Sequence, residues 1–428
     1  MRQPRISQSV NLVPYAAVVS APLGLLTGVL QARLLGPEGR GELAAAATPA
    51  ALIAMLLCFG TPDFFARAAA MGSDTRQLSR DAVSIAAAVA AAAIIPYVLF
   101  AASWSDGSGT VRTLLLVYAV LLPVQIYGYQ LGAIAAGVSR WKAVTIVRLA
   151  PGVIAAILLG GMLAVDVGWG RDPLLVGLAL ILPATFAPLA LLRVPKMWPR
   201  RRSSRAARRE AWRFGLRGWP AGAVALLNQR VDLLIVLAIA DSATAGYYAV
   251  SVSLAAIVTA FVNAVILPIR NEVARGHNEV VWPASSTLAL LTAAIATIAV
   301  PVLPWFVPFA FGSEYAAAIP LMIAIVVAQI PQAVVILLTQ TLVSAGRPLS
   351  PVWGETAALL VTVAAIPLLF KQFGVLGAVG GSALGTIVSL AVLVVLVRRH
   401  VDQDLVPRRI RPSVTSLMIM LGKKVDVG

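Results

Sequence analysis

The feature that most constrains this chain is a series of apolar runs, each about the length needed to cross a bilayer. A spanning helix covers roughly 30 Å of hydrocarbon with about 20 residues. Runs of that kind fall at 11–32, 43–66, 82–103, 111–136, 143–165 and 173–193, then at 216–240, 246–269, 285–311, 316–344, 351–370 and 374–397. No water reaches backbone N–H and C=O groups inside lipid, so segments of this kind bond internally as helices. The expected fold class is an all-α integral membrane protein of about twelve transmembrane helices. Composition supports this: 59% of residues are hydrophobic and 12% are charged, about half the charged share of a soluble domain.

The charges set the orientation. With the N-terminus inside, 28 of the 34 Lys and Arg lie in or beside cytoplasmic gaps and tails. The outer gaps hold Arg33, Arg40, Arg112, Arg171 and Lys371, and Arg230 falls inside a span. The positive-inside rule then places both termini in the cytoplasm of a multi-pass protein of the cell membrane. Arg2 and Arg5 precede an apolar run too long for a signal-peptide core, which reads as a retained first helix. The net charge of +16 is thus a topology signal, and nucleic acid is not an expected partner. Cys58 is the lone cysteine, and His277 and His400 are far apart, so no metal site or cofactor is expected.

A basic gap divides the chain. It holds Lys196, Arg200, Arg201, Arg202, Arg205, Arg208, Arg209 and Arg213, with Trp198 and Trp212 at its flanks. The expected organisation is a six-helix lobe over 1–194, a linker over 195–215, a second six-helix lobe over 216–399 and a basic tail over 400–428. Juxtamembrane clusters of this sort meet anionic membrane lipids. In the tail, Arg408, Arg409 and Arg411 precede an apolar run, Ser416 to Leu421, too short to span and suited to lying on the membrane surface.

Two pairs of positions hint at an internal repeat. Gly41 and Gly246 follow the first and seventh spans at an offset of 205, and Gly137 and Gly346 follow the fourth and tenth at 209. Six helices repeated with the same orientation imply a parallel pseudo-repeat about an axis along the membrane normal, as in transporters. Nearly every span also carries a proline, for example Pro62, Pro123, Pro220 and Pro331, which removes a backbone hydrogen bond. Gly377, Gly381 and Gly385 form a small-residue stripe that permits close helix approach.

Charges inside spans cost roughly 2.5 to 3.5 kcal/mol each on insertion scales, so they normally face a cavity or a partner. The seventh span carries Asn228, Gln229, Arg230 and Asp232. On a continuous helix Asn228 and Asp232 share a face, and Arg230 points about 200° away. Arg230 suits either another helix or a substrate phosphate. Asp63 and Arg67 stand four apart and can neutralise each other. Arg33 with Gln31 ends the first span, where snorkelling competes with ligand binding. The fourth span shows Gln125, Tyr127, Tyr129 and Gln130, followed by Arg140, Trp141 and Lys142, with Arg148 inside the fifth; an interfacial belt or a lipid headgroup fits these. Gln329, Gln332 and Gln340 can bond a sugar or a neighbouring helix. No phosphate-binding loop for ATP and no H-E-x-x-H motif is present, so ATPase and zinc-protease chemistry have no machinery.

The run from Ala32 to Leu43, with Leu35-Gly36-Pro37-Glu38-Gly39-Arg40-Gly41-Glu42 at its centre, resembles the first hairpin of bacterial polysaccharide and O-antigen flippases. These form the polysaccharide-transporter branch of the multidrug/oligosaccharidyl-lipid/polysaccharide exporter superfamily. Asn228-Gln229-Arg230-Val231-Asp232, then Ala245-Gly246-Tyr247-Tyr248, resembles that family's seventh and eighth helices. Ala136-Gly137 with Arg140 and Arg148 resembles its fourth-to-fifth junction.

The resemblance implies a V-shaped, MATE-like pair of six-helix lobes that flips an undecaprenyl-pyrophosphate-linked oligosaccharide outward by alternating access. It implies polysaccharide polymerases and glycosyltransferases as partners, and no enzymatic activity. Arg230 matches a phosphate-binding arginine by position, with Asp232 as its orienter or an ion-coupling carboxylate. Asn228, Arg33, Gln31, Gln125, Tyr129, Arg148 and Gln332 complete the expected substrate-binding set. The competing readings are a multidrug/cation antiporter of the same superfamily, a membrane glycosyltransferase or polymerase, and a non-transporting scaffold.

Overall fold

A computed structural model describes residues 12–165, 172–194, 197–199, 205–401 and 412–420, with side chains from residue 19 onward. Arg2, Arg5, Arg171, Lys196, Arg200, Arg201, Arg202, Arg408, Arg409 and Arg411 lie outside the described residues. Every regular element among those described is helical. Among the described residues ten helices are long and apolar enough to cross a membrane, or eleven if a bent pair is taken as one span. One of the ten, Val19–Leu56, has 38 residues, twice what a bilayer needs, and is divided at Gly36 (φ 64°, ψ −176°). Its two arms taken separately bring the total to about twelve, as expected, and the chain is a multi-pass membrane protein.

The chain forms two compact units, Met1–Ala223 and Val224–Gly428. The first contains α1 (Leu12–Leu56), α2 (Thr61–Ala70), α3 (Thr75–Trp104), α4 (Gly109–Gly137), α5 (Trp141–Val165) and α6 (Pro173–Phe186), which runs on as a 3-10 segment Ala187–Arg193. Its core is dominated by Phe65 of α2 and by Leu114, Leu115, Leu122, Ile126, Leu131 and Ile134 of α4, all fully buried. Helix starts are fixed by side-chain caps: Asp74, Ser108 and Asp172 accept the backbone N–H of Arg76, Val111 and Leu174.

Two expectations are corrected here. The gap expected at 33–42 is helical on both sides of Gly36, the residue at which the dihedrals depart, because glycine adopts positive φ without a side-chain clash. The second span, expected to be continuous over 43–66, breaks at residues 57–60. Phe59 and Gly60 both have positive φ (47° and 68°), and Pro62 has no N–H with which to carry the helix through.

α7 (Arg205–Asn228) begins inside the expected linker. Its first turns pack on unit 1 at the α1/α2 break. A Cβ on Gly60 would lie 2.7 Å from the carbonyl oxygen of Gly215, and one on Gly215 would collide with the carbonyl oxygen of Phe59. The Trp219 indole N–H donates to the Leu56 carbonyl at 2.8 Å, adding a second donor to an acceptor that the Phe59 N–H also reaches at 3.1 Å. Phe59 packs against Trp212 and Trp219 with ring centroids 5.5 and 5.3 Å away. Arg67, expected to neutralise Asp63, instead lies 5.5 Å over the Phe214 ring. Among the described residues no ion pair joins Asp63 and Arg67.

The second unit contains the end of α7, then α8 (Val231–Ile239), α9 (Ser242–Ala274), α10 (Val281–Phe311), α11 (Ile319–Ser344), α12 (Pro351–Phe373), α13 (Val375–His400) and α14 (Val414–Met420). The glycine stripe of α13 lies against α12: Gly377 meets the Leu369 backbone, Gly381 meets Ile366, and Gly385 meets Thr362 and Ala358. α14, the short apolar run of the tail, packs one side on this unit. Its Ile419 and Met420 are buried with Val262, Ile266, Val281 and Trp282, and the Ser413 N–H donates to Thr287 Oγ1.

The helix order repeats between the units. Gly36 precedes the second arm of α1 as Asp241 precedes α9, again at an offset of 205. Asp241 caps α9, and the Thr244 N–H and hydroxyl hold its carboxyl below the usual carboxylate range. α4 and α11 close alike: Ser139 and Gly346 take positive φ, and the N–H groups of Arg140 and Arg347 reach back to Ala135 and Leu342. Those arginines are 207 apart, so the second pair is better matched there than at Gly137 and Gly346.

A side chain at the Gly60–Gly215 crossing has nowhere to go. Gly215→Val is expected to cost about 1 to 3 kcal/mol, the usual range for overpacking. Thermal unfolding of the purified protein in detergent checks this, with Gly218→Val as the control, because a Cβ at Gly218 meets nothing within 4 Å.

Candidate functional site

The strongest concentration of polar groups inside a span lies where α7 gives way to α8. The two helices are bent by 54° across Gln229 and Arg230. The seventh helix expected over 216–240 is therefore two helices, and Asn228 and Asp232 are not on one continuous face. Arg230 is the N-cap residue of α8 (φ −136°, ψ −4°), with its backbone still bonded both ways: its N–H to Leu227 and its carbonyl to Leu234 N–H.

Two polar side chains flank this break and are fastened to different helices of unit 2. The Asn228 amide donates to Glu355 Oε2 of α12. Asp232 accepts twice, from its neighbour's backbone N–H on Leu233 at 2.8 Å and from the Tyr248 hydroxyl of α9 at 2.9 Å. Tyr248 is 1% exposed, so that hydroxyl is fixed by packing. Arg230 itself is exposed, and no carboxylate among the described residues lies within ion-pair distance of it. The break therefore presents an exposed guanidinium that attracts the Asp232 carboxylate from beyond ion-pair distance, while Asn228 and Asp232 are hydrogen-bonded elsewhere.

Glu355 is the residue that the sequence reading missed. It sits in the eleventh expected span, and the rule that singled out Asp232, a carboxylate among apolar residues, applies to it equally. Tyr248 belonged to a quoted motif without being given a role.

Unit 1 supplies a separate cavity of about 300 Å3, lined among others by Tyr118, Gln125, Tyr129, Ala184 and Thr185. The Gln125 amide donates to Thr185 Oγ1 at 3.4 Å, and Tyr129 is 41% exposed. Two other polar residues of α4 are structural: the Tyr127 hydroxyl shares a 2.7 Å hydrogen bond with Ser79, and Gln130 donates to Thr61. Gln31, Arg33 and Arg148 are not among the residues lining the unit 1 cavity. Gln31 is buried and Arg33 exposed on α1, and Arg148 is exposed on α5. Gln332 accepts the Thr386 hydroxyl and joins α11 to α13, as Gln329 joins α11 to Thr259 of α9.

Groups of three or more His, Cys, Asp or Glu able to hold a metal ion do not occur among the described residues. Asn228 and Glu355 are expected to act as a unit. In a double-mutant cycle on thermal stability, Asn228→Ala and Glu355→Ala should couple by at least about 0.5 kcal/mol, the range for groups in direct contact. Additive losses would show that the bond does not hold α7 to α12.

Comparison with known proteins agrees with this architecture. A family profile described as polysaccharide biosynthesis protein matches residues 8–269, a stretch that includes the whole α7–α8 break and Tyr248. The lipid II flippase MurJ in its inward closed conformation superposes with a TM-score of 0.68 at 13% identity, over 95% of this chain and 89% of that one. An inward-facing multidrug resistance MATE family transporter of the MOP superfamily gives 0.66 at 12% identity, over 90% and 98%. The MATE multidrug transporter DinF-BH, solved as a complex, gives 0.66 at 13% identity, over 94% and 97%. No curated protein sequence matches. The chain belongs to the polysaccharide biosynthesis protein family and has the fold shared by MurJ and the MATE transporters of the MOP superfamily.

Proposed function

We propose that the protein is a flippase that carries an undecaprenyl-pyrophosphate-linked oligosaccharide across the cytoplasmic membrane for surface polysaccharide assembly, by alternating access and without catalysing a covalent step. The observation that carries this reading is Arg230. It is an exposed guanidinium inside a membrane-spanning region, at a helix break, with no carboxylate within ion-pair distance among the described residues. Holding such a group in a span is costly unless an anion meets it during the working cycle. The family match extends across this segment, and the lipid II flippase MurJ shares the fold.

In this reading Arg230 neutralises pyrophosphate, while the Asn228–Glu355 and Asp232–Tyr248 bonds hold the break in shape around it. Gln125, Tyr129 and Tyr118 offer an amide and aromatic hydroxyls in the unit 1 cavity, groups suited to the hydroxyls of a glycan. Arg33 and Arg148 are further basic groups for the headgroup at the two faces. The positive-inside distribution supports cytoplasmic termini, and polymerases and glycosyltransferases are the expected neighbours of such a carrier.

Antiport of drugs against cations is the second reading, favoured by the carboxylates Asp232 and Glu355 within unit 2. Dye efflux by cells expressing the protein, lost in Asp232→Asn, would favour it.

The test of the flippase reading is a deletion strain complemented by Arg230 variants. Deletion should trap lipid-linked oligosaccharide on the cytoplasmic leaflet. Arg230→Ala should fold and reach the membrane yet fail to restore surface glycan, and Arg230→Lys should restore part of it, because a point charge replaces a bidentate fork. Normal surface glycan with Arg230→Ala would overturn the role given to this residue, and normal glycan without trapped precursor in the deletion would overturn the function.

A further inference from the structure

We propose that the first turns of α7 form a docking surface for the headgroups of anionic phospholipids. Arg205, Arg209, Arg213 and Arg217 recur at every fourth residue of the helix, and all four are exposed. Residues four apart lie on the same face. At 1.5 Å per residue they make an inclined row about 18 Å long, with successive stems about 6 Å apart along the axis and about 40° apart around it, so the first and last differ by about 120°.

One side of this helical stretch is committed to unit 1. Ala211 and Gly215 are buried, and Trp212 and Phe214 pack against the core of that unit. The Gly60–Gly215 crossing fixes the helix in rotation as well as in distance, because neither backbone can slide without meeting the other. The arginine row therefore keeps its outward direction. Glu210 is exposed on the same helix, yet no carboxylate among the described residues lies within ion-pair distance of any of the four arginines.

Charge and position together select the occupant. The row ends at Arg217, and the apolar stretch from Ala221 to Leu227 begins one turn later, so the row approaches the depth where a span enters the headgroup region. Guanidinium groups bind phosphate oxygens in a planar fork. A row of four engages several phosphates at once, which the surface of an anionic leaflet presents and a single dissolved phosphate does not. The inference depends on α7 entering the membrane there and is independent of the cargo.

Thermal unfolding of the full-length protein in detergent micelles tests it. Micelles containing phosphatidylglycerol should raise the melting temperature by several degrees at low salt, phosphatidylcholine should not, and high salt should remove most of the shift, as screening requires. A quadruple variant, Arg205→Gln with Arg209→Gln, Arg213→Gln and Arg217→Gln, should lose most of the phosphatidylglycerol shift. The corresponding quadruple Lys variant should keep much of it and shows that the helix still folds. A control with Arg275→Gln, an exposed arginine already paired with Glu272, should respond like the unaltered protein. An equal shift in the Gln variant, an equal shift from phosphatidylcholine, or the same shift from inorganic phosphate alone would each overturn the proposal. So would a row that ignores phosphatidylglycerol and responds only to an acidic polypeptide. Because no glycan transport is read, failure here leaves the flippase reading untouched, and the Arg230 experiment leaves this one untouched.

Discussion

The structure depends on one demand: inside lipid, every backbone N–H and C=O has to find a partner within the protein. Uninterrupted helices meet it by themselves, so the places that need explanation are the interruptions. At residues 57–60 the ladder tightens into turns, with the Cys58 and Phe59 N–H groups reaching Met55 and Leu56, and a tryptophan from a distant helix, Trp219, also donates to the Leu56 carbonyl. At Gln229 and Arg230 the backbone stays bonded to its near neighbours, and the side chains on either side of the bend reach to α12 and α9. In both cases a break in the regular structure coincides with a long-range contact. The breaks are thus also joints, fastened by groups from other helices.

How much of this was readable in the sequence varies from place to place. Span number followed from hydropathy because apolar runs of bilayer length have one stable outcome. The break at 57–60 carried a signal, Gly60-Thr61-Pro62, which hydropathy smoothed over because both sides are apolar. The break after Asn228 carried none, since the segment has neither glycine nor proline; the bend is set by partners, Glu355 and Tyr248, that lie 127 and 16 residues away from Asn228 and Asp232. Tertiary contacts of that range are invisible to local pattern. The converse holds at 33–42, where charges and glycines suggested a loop and a single residue with positive φ sufficed.

The polar residues of α4 make the same point at the level of a site. Gln125 and Tyr129 are four apart and share a cavity, whereas Tyr127 and Gln130 are three apart and share the opposite, buried side with Ser79 and Thr61. Helical spacing alone separates the two pairs. It does not say which pair faces open space, and only packing decided that. Likewise, Gln329 and Gln332 had the chemistry to bind a sugar, and in the structure each accepts a hydroxyl from a neighbouring helix. An amide in a span is evidence of a partner of some kind, and the kind is settled by what stands beside it.

The meeting of Gly60 and Gly215 has a consequence for how this chain can change over generations. Most tight contacts between helices tolerate drift, because a larger residue on one side can be offset by a smaller one on the other. Here both sides have already reached the smallest residue, and the atoms in the way are main-chain atoms that no substitution removes. A compensating exchange does not exist at this pair. The two positions are locked independently of each other, and a lineage that lost either glycine would keep the fold only by moving α7 away from the α1/α2 break, together with the arginines it carries.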